Sequence, residues 1–400
     1  MLTLKLKNGI RNDTYKMSNE IEPYELKEKI DKKKDIILLD VRTPEEYETW
    51  KISYGGHEKP ILAPLPQLLT PGSQILANIP KDKEIVTICS HGNRSGMAAN
   101  MLSTLGYNVK SLKGGMVNWN AVQDIAPVPV KTESVRIWQV RRIGKGCMGY
   151  LIASMNDKTA IVIDPVCEGG ETYMQIAREN GLRITKVIDT HMHADHVSGL
   201  ARLCKLTGAD PCLSSIDGYE ANPKGLSEFK QIRDGDHIGV GDGIAITAIN
   251  TPGHTKGSMC FSLNSQGDNY LFTGDILFVD GIGRPDLRDK AKEFASDLYD
   301  TLQKITKDFP DNTVILPCHY SSSIVLQHGK LVSGTLGAIK SQIKLVSLSK
   351  EEFINNILGS IPPRPMNYRV IIDINKKMIS CDEIDIRDIE AGPNSCAVPT

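Results

Sequence analysis

The sequence lacks any long apolar run. No stretch approaches the roughly 20 consecutive apolar residues that a membrane-spanning helix needs, so we expect no membrane segment. The first twenty residues contain lysines but no apolar core of the length found in secretory signals. Together these two absences predict a cytoplasmic protein without a membrane partner.

The chain also lacks a charge excess of either sign. Its 47 Lys and Arg residues nearly balance its 48 Asp and Glu residues, which gives a formal net charge of −1. A nearly neutral chain has no overall electrostatic attraction to nucleic acid or to anionic membranes, so we expect neither as a partner. With 40% hydrophobic residues over 400 positions, the composition is that of a globular protein large enough for two domains.

CxxC pairs are absent as well. The nine cysteines are scattered along the chain, which predicts neither a disulfide framework nor a structural zinc ribbon. We expect most of them to be small buried side chains, and we expect Cys396 to be incidental and not reactive. Cys89 is the exception because of the loop that surrounds it.

The order of apolar runs and helical patterns divides the chain into five parts. An extension without periodicity covers 1–17. Strands alternate with helices over 18–125, which predicts a small α/β domain with a largely parallel sheet. A stretch with two prolines predicts a linker at 126–134. A larger mixed α/β unit follows over 135–345, and a helix with a Pro-rich tail covers 346–400.

A dense histidine motif follows one predicted strand. The run HMHADH, from His191 to His196, comes directly after the strand KVIDT. His254 follows a strand and a Pro-Gly turn, Asp275 follows the strand YLFTG, and His319 follows the strand TVILP. Side chains at the ends of separate strands are held rigidly while coordination positions stay open, which suits a catalytic metal. The sequence therefore predicts a metalloenzyme.

These four motifs, in this order, resemble those of the metallo-β-lactamase superfamily. The resemblance covers roughly 135–345 and implies an αββα sandwich with the metal ligands along one edge of its sheets. The ligand inventory leaves open a hydrolase with two zinc ions, of the glyoxalase II type. Such dinuclear hydrolases use seven positions, and all are present here: His191, His193, Asp195, His196, His254, Asp275 and His319.

A further motif favours a different branch of this superfamily. The segment after Asp275, ILFVDGIGRPDL, resembles the GxGRxD signature of persulfide dioxygenases. This resemblance implies one Fe(II) per chain held by His191, His254 and Asp275, the two-histidine, one-carboxylate set of non-haem oxygenases. It also implies that Arg284 binds the anionic end of a thiol carrier. The residues then expected to surround the ligands are His193, Asp195, His196, His319 and Thr273.

One cysteine lies on a loop between a predicted strand and a predicted helix. Cys89 begins the run CSHGNR, and Arg94 ends it. Backbone N–H groups of such a loop, together with a helix N-terminus, stabilise negative charge on the sulfur and on a bound anion. Arg94 adds a positive charge for an anionic substrate. The residues between them are expected to contact that substrate: Ser90, His91, Gly92 and Asn93.

The segments around this loop resemble those of rhodanese-like sulfurtransferases. LLDVRTPEEY (Leu38–Tyr47) and LKGGMVNW (Leu112–Trp119) frame it as in that family, and the resemblance covers about 18–125. It implies that Cys89 carries sulfane sulfur as a persulfide. GGHEKPILAPL, at Gly55–Leu65, departs from the family's GHIPGA-like run, which leaves the substrate-side wall of the pocket undetermined.

The two resemblances share sulfane sulfur as a common substrate atom. They imply an enzyme that oxidises a small-molecule thiol persulfide, such as glutathione or coenzyme A persulfide, with O₂ to sulfite and free thiol. Transfer through Cys89 would interconvert sulfite and thiosulfate in either direction. One rival is a dinuclear zinc thioester hydrolase with a rhodanese side domain, and another is a non-catalytic sulfur carrier with a vestigial metal site. The carrier thiol stays open, as does the oligomeric state, for which a homo-oligomer is a fair expectation.

Overall fold

The computed structural model describes residues 19–56, 59–220, 228–286, 290–320, 324–364 and 367–399. The extension expected at 1–17 lies outside the described residues. Among the described residues, no helix combines the length and the apolar character needed to cross a bilayer.

Within these residues, five strands and five α-helices form the first unit. The strands are β1 (Glu20–Ile21), β2 (Ile36–Asp40), β3 (Ile61–Leu62), β4 (Glu84–Ile88) and β5 (Val109–Leu112), and the helices are α1 (Pro23–Asp31), α2 (Pro44–Thr49), α3 (Leu65–Leu68), α4 (Asn93–Thr104) and α5 (Gly115–Trp119). The sheet has the order β1-β5-β4-β2-β3, and every pair is parallel. This confirms the predicted small α/β domain.

Strand β4 leads directly into the cysteine loop. Its Ile85 and Val86 are fully buried, as in central parallel strands whose faces are both covered by helices. Gly92 then adopts a left-handed φ of 96°, and α4 begins at the next residue. Glycine tolerates this conformation without strain, so the chain turns within a few residues from the strand into the helix.

The second unit contains the remaining elements of the described chain. Its strands are β6 (Gln123–Val128), β7 (Val135–Arg142), β8 (Met148–Ser154), β9 (Thr159–Ile163), β10 (Arg183–Ile188), β11 (Asp210–Leu213), β12 (Lys230–Gln231), β13 (His237–Gly241), β14 (Ile244–Asn250), β15 (Met259–Ser265), β16 (Asp268–Gly274), β17 (Gly281–Gly283), β18 (Val314–Pro317), β19 (Gly334–Thr335) and β20 (Ala397–Pro399). Its helices are α6 (Gly170–Asn180), α7 (Leu200–Thr207), α8 (Ala291–Asp308), α9 (Leu336–Gln342), α10 (Lys350–Ser360) and α11 (Tyr368–Lys376).

Two mixed sheets face each other in this unit. One has the order β12-β11-β10-β9-β8-β7-β6 and the other the order β13-β14-β15-β16-β18-β19. Buried side chains from both sheets form the central core, among them Ile161 of β9 and Phe272 of β16. α6 and α7 cover the outer face of the first sheet, and α8, α9 and α10 pack on the second. This arrangement confirms the αββα sandwich.

The predicted linker at 126–134 needs a correction. Residues 123–128 form β6, which pairs antiparallel with β7 at the edge of the first sheet of the sandwich. Residues 129–134 connect β6 to β7 as a hairpin loop. A proline is tolerated in an edge strand because its missing N–H can face away from the neighbouring strand, so Pro127 does not indicate a linker. The other domain bounds stay predictions.

The two units pack against each other through one mixed core. Tyr54 and Trp119 of the first unit join Ile143 and Leu326 of the second in a single buried cluster. At its edge, the indole Nε1 of Trp50 donates to a backbone carbonyl of the second unit over 2.9 Å. The first unit is therefore attached by buried apolar surface and by polar contacts.

A disulfide ties the C-terminal tail to the sandwich. It joins Cys167, just before α6, to Cys381, 214 residues later. The sequence indicates no disulfide framework, and it does not reveal this single bond because pairing between distant cysteines leaves no local spacing pattern. The other seven cysteines are free and buried, as expected. Beyond Cys381, the tail ends in β20, which pairs antiparallel with β17.

Candidate metal centre and cysteine loop

The predicted metal ligands converge at one edge of the sandwich. The histidine run follows β10, His254 follows β14, Asp275 directly follows β16 and His319 follows β18. These side chains are at most 2% exposed, as are all other members of the seven-residue set. Four strand ends therefore bring together residues that are up to 128 positions apart in the sequence, between His191 and His319.

Six buried polar atoms at this edge lack a well-aligned hydrogen bond among the described residues, although one of them, His319 Nε2, lies 2.9 Å from Asp195 Oδ2. Burying a polar atom without a partner is costly, so such atoms are rare in folded proteins. Each is an imidazole nitrogen or a carboxylate oxygen, and both are common metal ligands. The donor set therefore fits a metal. The atoms are His191 Nε2, His193 Nδ1, His196 Nε2, His254 Nε2, Asp275 Oδ2 and His319 Nε2.

In His191 and His254, a hydrogen bond holds Nδ1, the ring nitrogen that does not face the metal site. His191 Nδ1 lies 2.8 Å from the hydroxyl of Thr190. His254 Nδ1 donates to the backbone carbonyl of Arg284 over 2.8 Å. Such contacts fix the tautomer and orient the ring so that Nε2 faces the metal.

Asp164 holds the start of the histidine run in place, and the sequence motifs did not reveal it. Its carboxylate is 3.2 Å from His193 Nε2 and accepts hydrogen bonds from the backbone N–H and the hydroxyl of Thr190. The side chain is 1% exposed. Because Asp164 follows β9 rather than any histidine motif, nothing in the local sequence marks it as a partner of His193.

Three of the residues form a compact donor cluster. The donor atoms of His191, His254 and Asp275 lie within 4.8 Å of one another. Asp275 Oδ2 is 3.7 Å from His191 Nε2 and 3.5 Å from His254 Nε2. Two imidazoles and one carboxylate on one side of a metal leave other positions open, as in non-haem Fe(II) oxygenases.

A second cluster adds a residue that the sequence did not reveal. The donor atoms of Cys147, Asp195, His196 and His319 also lie within 4.8 Å of one another. Cys147 Sγ is 3.5 Å from Asp195 Oδ2, and His196 Nδ1 is 3.1 Å from Asp195 Oδ1. Cys147 stands just before β8 without any recognisable motif, so only the sheet topology brings it to the cavity.

The charges at the centre suit a cation. Burial holds the pKa of His191 well below its usual range and also lowers that of His254, which keeps both imidazoles in the neutral form that binds metals. Burial would raise the pKa of Asp275, but His319 lowers it. Burial opposes protonation of His319, yet Asp275 and Asp195 raise its pKa well above the usual range. The two neutral imidazoles and one carboxylate of the first cluster therefore carry one negative charge.

The segment after Asp275 packs tightly behind the ligands. A Cβ at Gly283 would overlap the carbonyl oxygen of Asp275, which explains why a glycine stands there in the GIGR run. Thr273 is buried, and its hydroxyl donates to the Leu277 carbonyl over 2.6 Å. Thr273 thus stabilises the turn that carries Asp275, consistent with the position expected for it behind the ligand.

The structure gives Arg284 a different role from the one expected. Its side chain is 0% exposed, and all five of its N–H donors are used. Two donate to the carboxylate of Asp286, and three donate to the carbonyls of Pro362, Pro363 and Ser395. With no donor left for a substrate, Arg284 is corrected from a substrate-binding residue to one that ties the tail to the metal centre.

The C-terminal tail holds the histidine loop through hydrogen bonds. Asn375 donates to the carbonyls of His193 and His196, both over 2.9 Å. Glu390 accepts the backbone N–H of Val197 over 2.6 Å. These contacts span 179 to 193 positions, and neither Asn375 nor Glu390 belongs to a motif that could have revealed them.

The cysteine loop has the expected shape. Cys89 follows β4 and is 1% exposed. The backbone N–H of Gly92 donates to Cys89 Sγ over 3.1 Å, and the Ser95 hydroxyl lies 3.3 Å from the same sulfur. Asn93 is the first residue of α4, so the sulfur faces the N-terminus of that helix. One backbone N–H and one hydroxyl therefore contact the sulfur.

Arg94 and His91 of this loop already have acidic partners. Arg94 binds Glu46 through both guanidinium nitrogens over 2.8 and 2.5 Å, and Ser90 donates to the same carboxylate over 3.1 Å. The bonds from Arg94 lower the pKa of Glu46 to about 2. His91 lies 3.1 Å from Asp388 of the tail. The sequence motifs did not reveal Glu46 or Asp388. Because Arg94 already binds Glu46, an anionic substrate would have to compete with that carboxylate.

Two family profiles match this chain. The metallo-beta-lactamase superfamily matches residues 143–319, and the rhodanese-like domain matches residues 22–122. The two matched regions correspond to the two units of the fold.

Several individual proteins are similar to part of this chain. Mitochondrial persulfide dioxygenase ETHE1 of Mus musculus is 31% identical over 234 residues, which cover 57% of this chain and 82% of that protein. The probable polyketide biosynthesis zinc-dependent hydrolase BaeB of Bacillus velezensis is 31% identical, with 52% and 84% covered. The crystal structure of ETHE1 from Myxococcus xanthus is 29% identical with a TM-score of 0.51, and 60% of this chain and 97% of that chain are covered.

Proposed function

Because this chain belongs to the metallo-beta-lactamase superfamily and resembles its persulfide dioxygenases, we propose that it oxidises a low-molecular-weight thiol persulfide with O₂. One water molecule is consumed with the O₂, and the products are sulfite, the free thiol and two protons. The observation that carries the proposal is the cluster of His191, His254 and Asp275, whose donor atoms are buried and within 4.8 Å of one another. This set would hold one Fe(II) per chain.

The residues of this chain prepare the site for that chemistry. Fe(II) bound there would supply neighbouring open positions for O₂ and the persulfide. Thr190 and the Arg284 carbonyl hold His191 and His254 with Nε2 towards the metal. The burial of the cluster excludes bulk water from the reacting sulfur, which protects a reactive group from side reactions.

In the rhodanese-like unit, Cys89 would act as the sulfur carrier. Its thiolate attacks the outer sulfur of a donor, a new S–S bond forms, and the donor leaves as sulfite or as a thiolate. The hydrogen bond from Gly92 stabilises the sulfur. A second acceptor then takes the outer sulfur and restores the thiolate. Persulfide sulfur and sulfite could combine to thiosulfate by this route, or thiosulfate could be consumed.

The carrier thiol is proposed only by chemical class. Glutathione and coenzyme A persulfides both present a terminal sulfur on a small soluble carrier, and both occur in the cytoplasm, where we place the protein. Both halves of the chain would then use one substrate atom, the sulfane sulfur.

The deciding experiment combines metal analysis with an oxygen electrode. Protein purified without added metal should contain one iron per chain and consume O₂ when glutathione or coenzyme A persulfide is added. His254→Ala should lose both iron and O₂ uptake, whereas the control His237→Ala, at an exposed position on β13, should keep both. Two zinc ions per chain with no persulfide-dependent O₂ uptake would refute the proposal.

A second candidate is a dinuclear zinc thioester hydrolase. It is favoured by the complete second donor cluster and by the likeness to the Bacillus hydrolase. Cleavage of glutathione thioesters by the zinc-loaded protein, without O₂ uptake, would support this candidate over the dioxygenase.

A further inference from the structure

The disulfide between Cys167 and Cys381 lies beside the histidine loop. The backbone N–H of Cys167 donates to the carbonyl of Val197 over 3.1 Å, and Val197 directly follows the last histidine of the loop. The next residues on either side, Val166 and Ser198, form an antiparallel bridge. One end of the bond is therefore fixed by paired backbone to the loop that carries three of the histidines.

The other end of the bond belongs to the part of the tail that holds this loop. Asn375 donates to the carbonyls of His193 and His196, both over 2.9 Å. Glu390 accepts a backbone N–H of the same loop over 2.6 Å. Cys381 stands between Asn375 and Glu390 in the sequence. The disulfide therefore fastens to the histidine loop the segment whose hydrogen bonds keep that loop in place.

The segment around Cys381 has no regular structure of its own. Residues 377–396, all of which the structure describes, contain neither a helix nor a strand. The apolar cluster at the disulfide is small, and its four buried members are Cys167, Val197, Ile374 and Ile386. Segments with few buried apolar contacts open locally at a low cost in free energy. Breaking the bond should therefore loosen this segment while the sandwich stays folded.

Only one of the two cysteines is open to solvent. Cys381 is partly exposed, whereas Cys167 is 1% exposed. A thiolate must reach the sulfur that it attacks, so attack falls on Cys381 and Cys167 is the leaving group. Arg202 donates to the carbonyl of Cys167 over 3.1 Å, and its Nε lies 3.3 Å from Asp382. A guanidinium thus contacts residues at both ends of the bond, and positive charge stabilises a departing thiolate.

We propose that the bond between Cys167 and Cys381 is a thiol-sensitive switch of the metal centre. The ligand of this switch is a low-molecular-weight thiol, the class of product that the proposed reaction releases. In the oxidised form the tail holds the histidine loop and the metal is retained. In the reduced form the tail is loosened and the metal is lost more readily. The inference rests on the proposed function for the identity of the thiol and of the metal.

The switch is a two-step thiol–disulfide exchange. The small thiolate attacks Cys381 Sγ, the protein S–S bond breaks, and a mixed disulfide forms while Cys167 leaves as a thiolate. A second small thiolate attacks the mixed disulfide at the sulfur of the small thiol and expels Cys381 as a thiolate. Two small thiols are thus oxidised to one low-molecular-weight disulfide, and their two protons end on the two protein thiols. The same low-molecular-weight disulfide reverses both steps.

A loosened tail affects the supports of both histidine ligands. His191 belongs to the loop that the tail holds. Further along the tail, the carbonyl of Ser395 accepts a hydrogen bond from Arg284 over 3.0 Å, and the Arg284 carbonyl orients His254. Loss of contacts that support metal ligands typically costs about 10–100-fold in metal affinity. Free thiol that accumulates during the reaction would therefore lower the metal content of the enzyme.

The test titrates the metal-loaded full chain with mixtures of reduced and oxidised glutathione. Alkylation followed by peptide mass spectrometry should find Cys167 and Cys381 joined in the oxidising mixtures and alkylated in the reducing ones. Over the same range, the chelator 4-(2-pyridylazo)resorcinol should withdraw the metal about tenfold faster or more from the reduced protein. Oxidised glutathione should restore the slow rate. The chelator reports iron and zinc alike, so the measurement does not depend on which metal is bound.

Two variants control for other effects of glutathione. Cys381→Ser should release its metal at the fast rate in every mixture. Cys204→Ser, which removes a buried free thiol on α7, is the matched control and should respond like wild type. A wild-type bond that glutathione leaves intact, or a release rate that reduction does not change, would overturn the inference. Both are wild-type measurements, so they decide even if Cys381→Ser misfolds.

O₂ uptake on the same samples separates the two proposals. Metal release that follows the state of the disulfide, without persulfide-dependent O₂ uptake, refutes only the dioxygenase. Persulfide-dependent O₂ uptake with one metal release rate in both states of the disulfide refutes only the switch.

Discussion

Replacing Arg284 by lysine should damage the structure of the metal centre and not the binding of substrate. The guanidinium makes five hydrogen bonds, two to Asp286 and three to carbonyls of the tail. A lysine ammonium has only three donors, so at least two acceptors lose their partner. Each orphaned acceptor costs about 1–3 kcal/mol. Because these carbonyls are only partly buried, we expect the lower end of that range for each acceptor. The free energy of unfolding should therefore fall by about 2–3 kcal/mol.

The same substitution should weaken metal binding. The carbonyl of Arg284 accepts the hydrogen bond that orients His254, and loss of such a support typically costs about 10–100-fold in metal affinity. Urea unfolding, metal titration and persulfide-dependent O₂ uptake on one preparation measure the three quantities. The KM for persulfide of the metal-loaded fraction should stay within about twofold of wild type, since the change removes no contact to substrate.

The control is Arg364→Lys. Arg364 also binds Asp286, at 3.0 Å, but its side chain is 27% exposed, so a smaller loss of stability is expected. If Arg284→Lys instead raised the KM for persulfide tenfold with stability and metal affinity unchanged, the role assigned to Arg284 would be wrong. The original expectation of a substrate-binding arginine would then return.

The other predictions concern the cysteine loop and the tail. Cys89→Ser should abolish transfer of sulfane sulfur to cyanide while leaving persulfide-dependent O₂ uptake unchanged, and loss of both activities would contradict separate sites. The Glu46–Arg94 pair lowers the pKa of Glu46 to about 2, so its stabilising effect is present above the unfolded value near 4.5 and is lost as the pH falls from there towards 2. Glu46→Gln should therefore flatten the acid limb of unfolding followed by circular dichroism between those values, and an unchanged limb would contradict this. Cys381→Ser should lower the stability of the oxidised protein by about 2–5 kcal/mol and speed proteolysis of the tail, an effect that a reductant should reproduce in wild type but not in the variant.

Much of the site could be predicted because its information is local. His191, His254 and Asp275 each stand at the end of a recognisable strand, and strand ends meet at a sheet edge wherever the strands run in register. The same reasoning placed Cys89 between a strand and a helix. Candidate site residues on short segments next to regular strands and helices can therefore be predicted from the sequence.

The rest could not be predicted because it depends on contacts between distant parts of the chain. Cys147 meets Asp195 across 48 positions, and Cys167 meets Cys381 across 214. Asn375 reaches the histidine loop from outside every motif. The motif of Arg284 predicts a substrate contact, whereas two of its five donors bind Asp286 and three bind carbonyls of the tail. Pro127 suggested a linker, but it lies in β6, and an edge strand tolerates a proline whereas a central strand does not.

The contacts of Asn375 and Glu390 with the histidine loop also set an order of assembly. Domains fold from the N-terminal side during synthesis, so the cysteine-loop unit can fold while later residues are still being translated. Every proposed metal donor lies between positions 147 and 319, and all of them leave the ribosome before the segment that holds their loop. The centre therefore passes through a stage in which its donors are present but unsupported. Metal delivered to the cell should be captured stably only after the tail has docked.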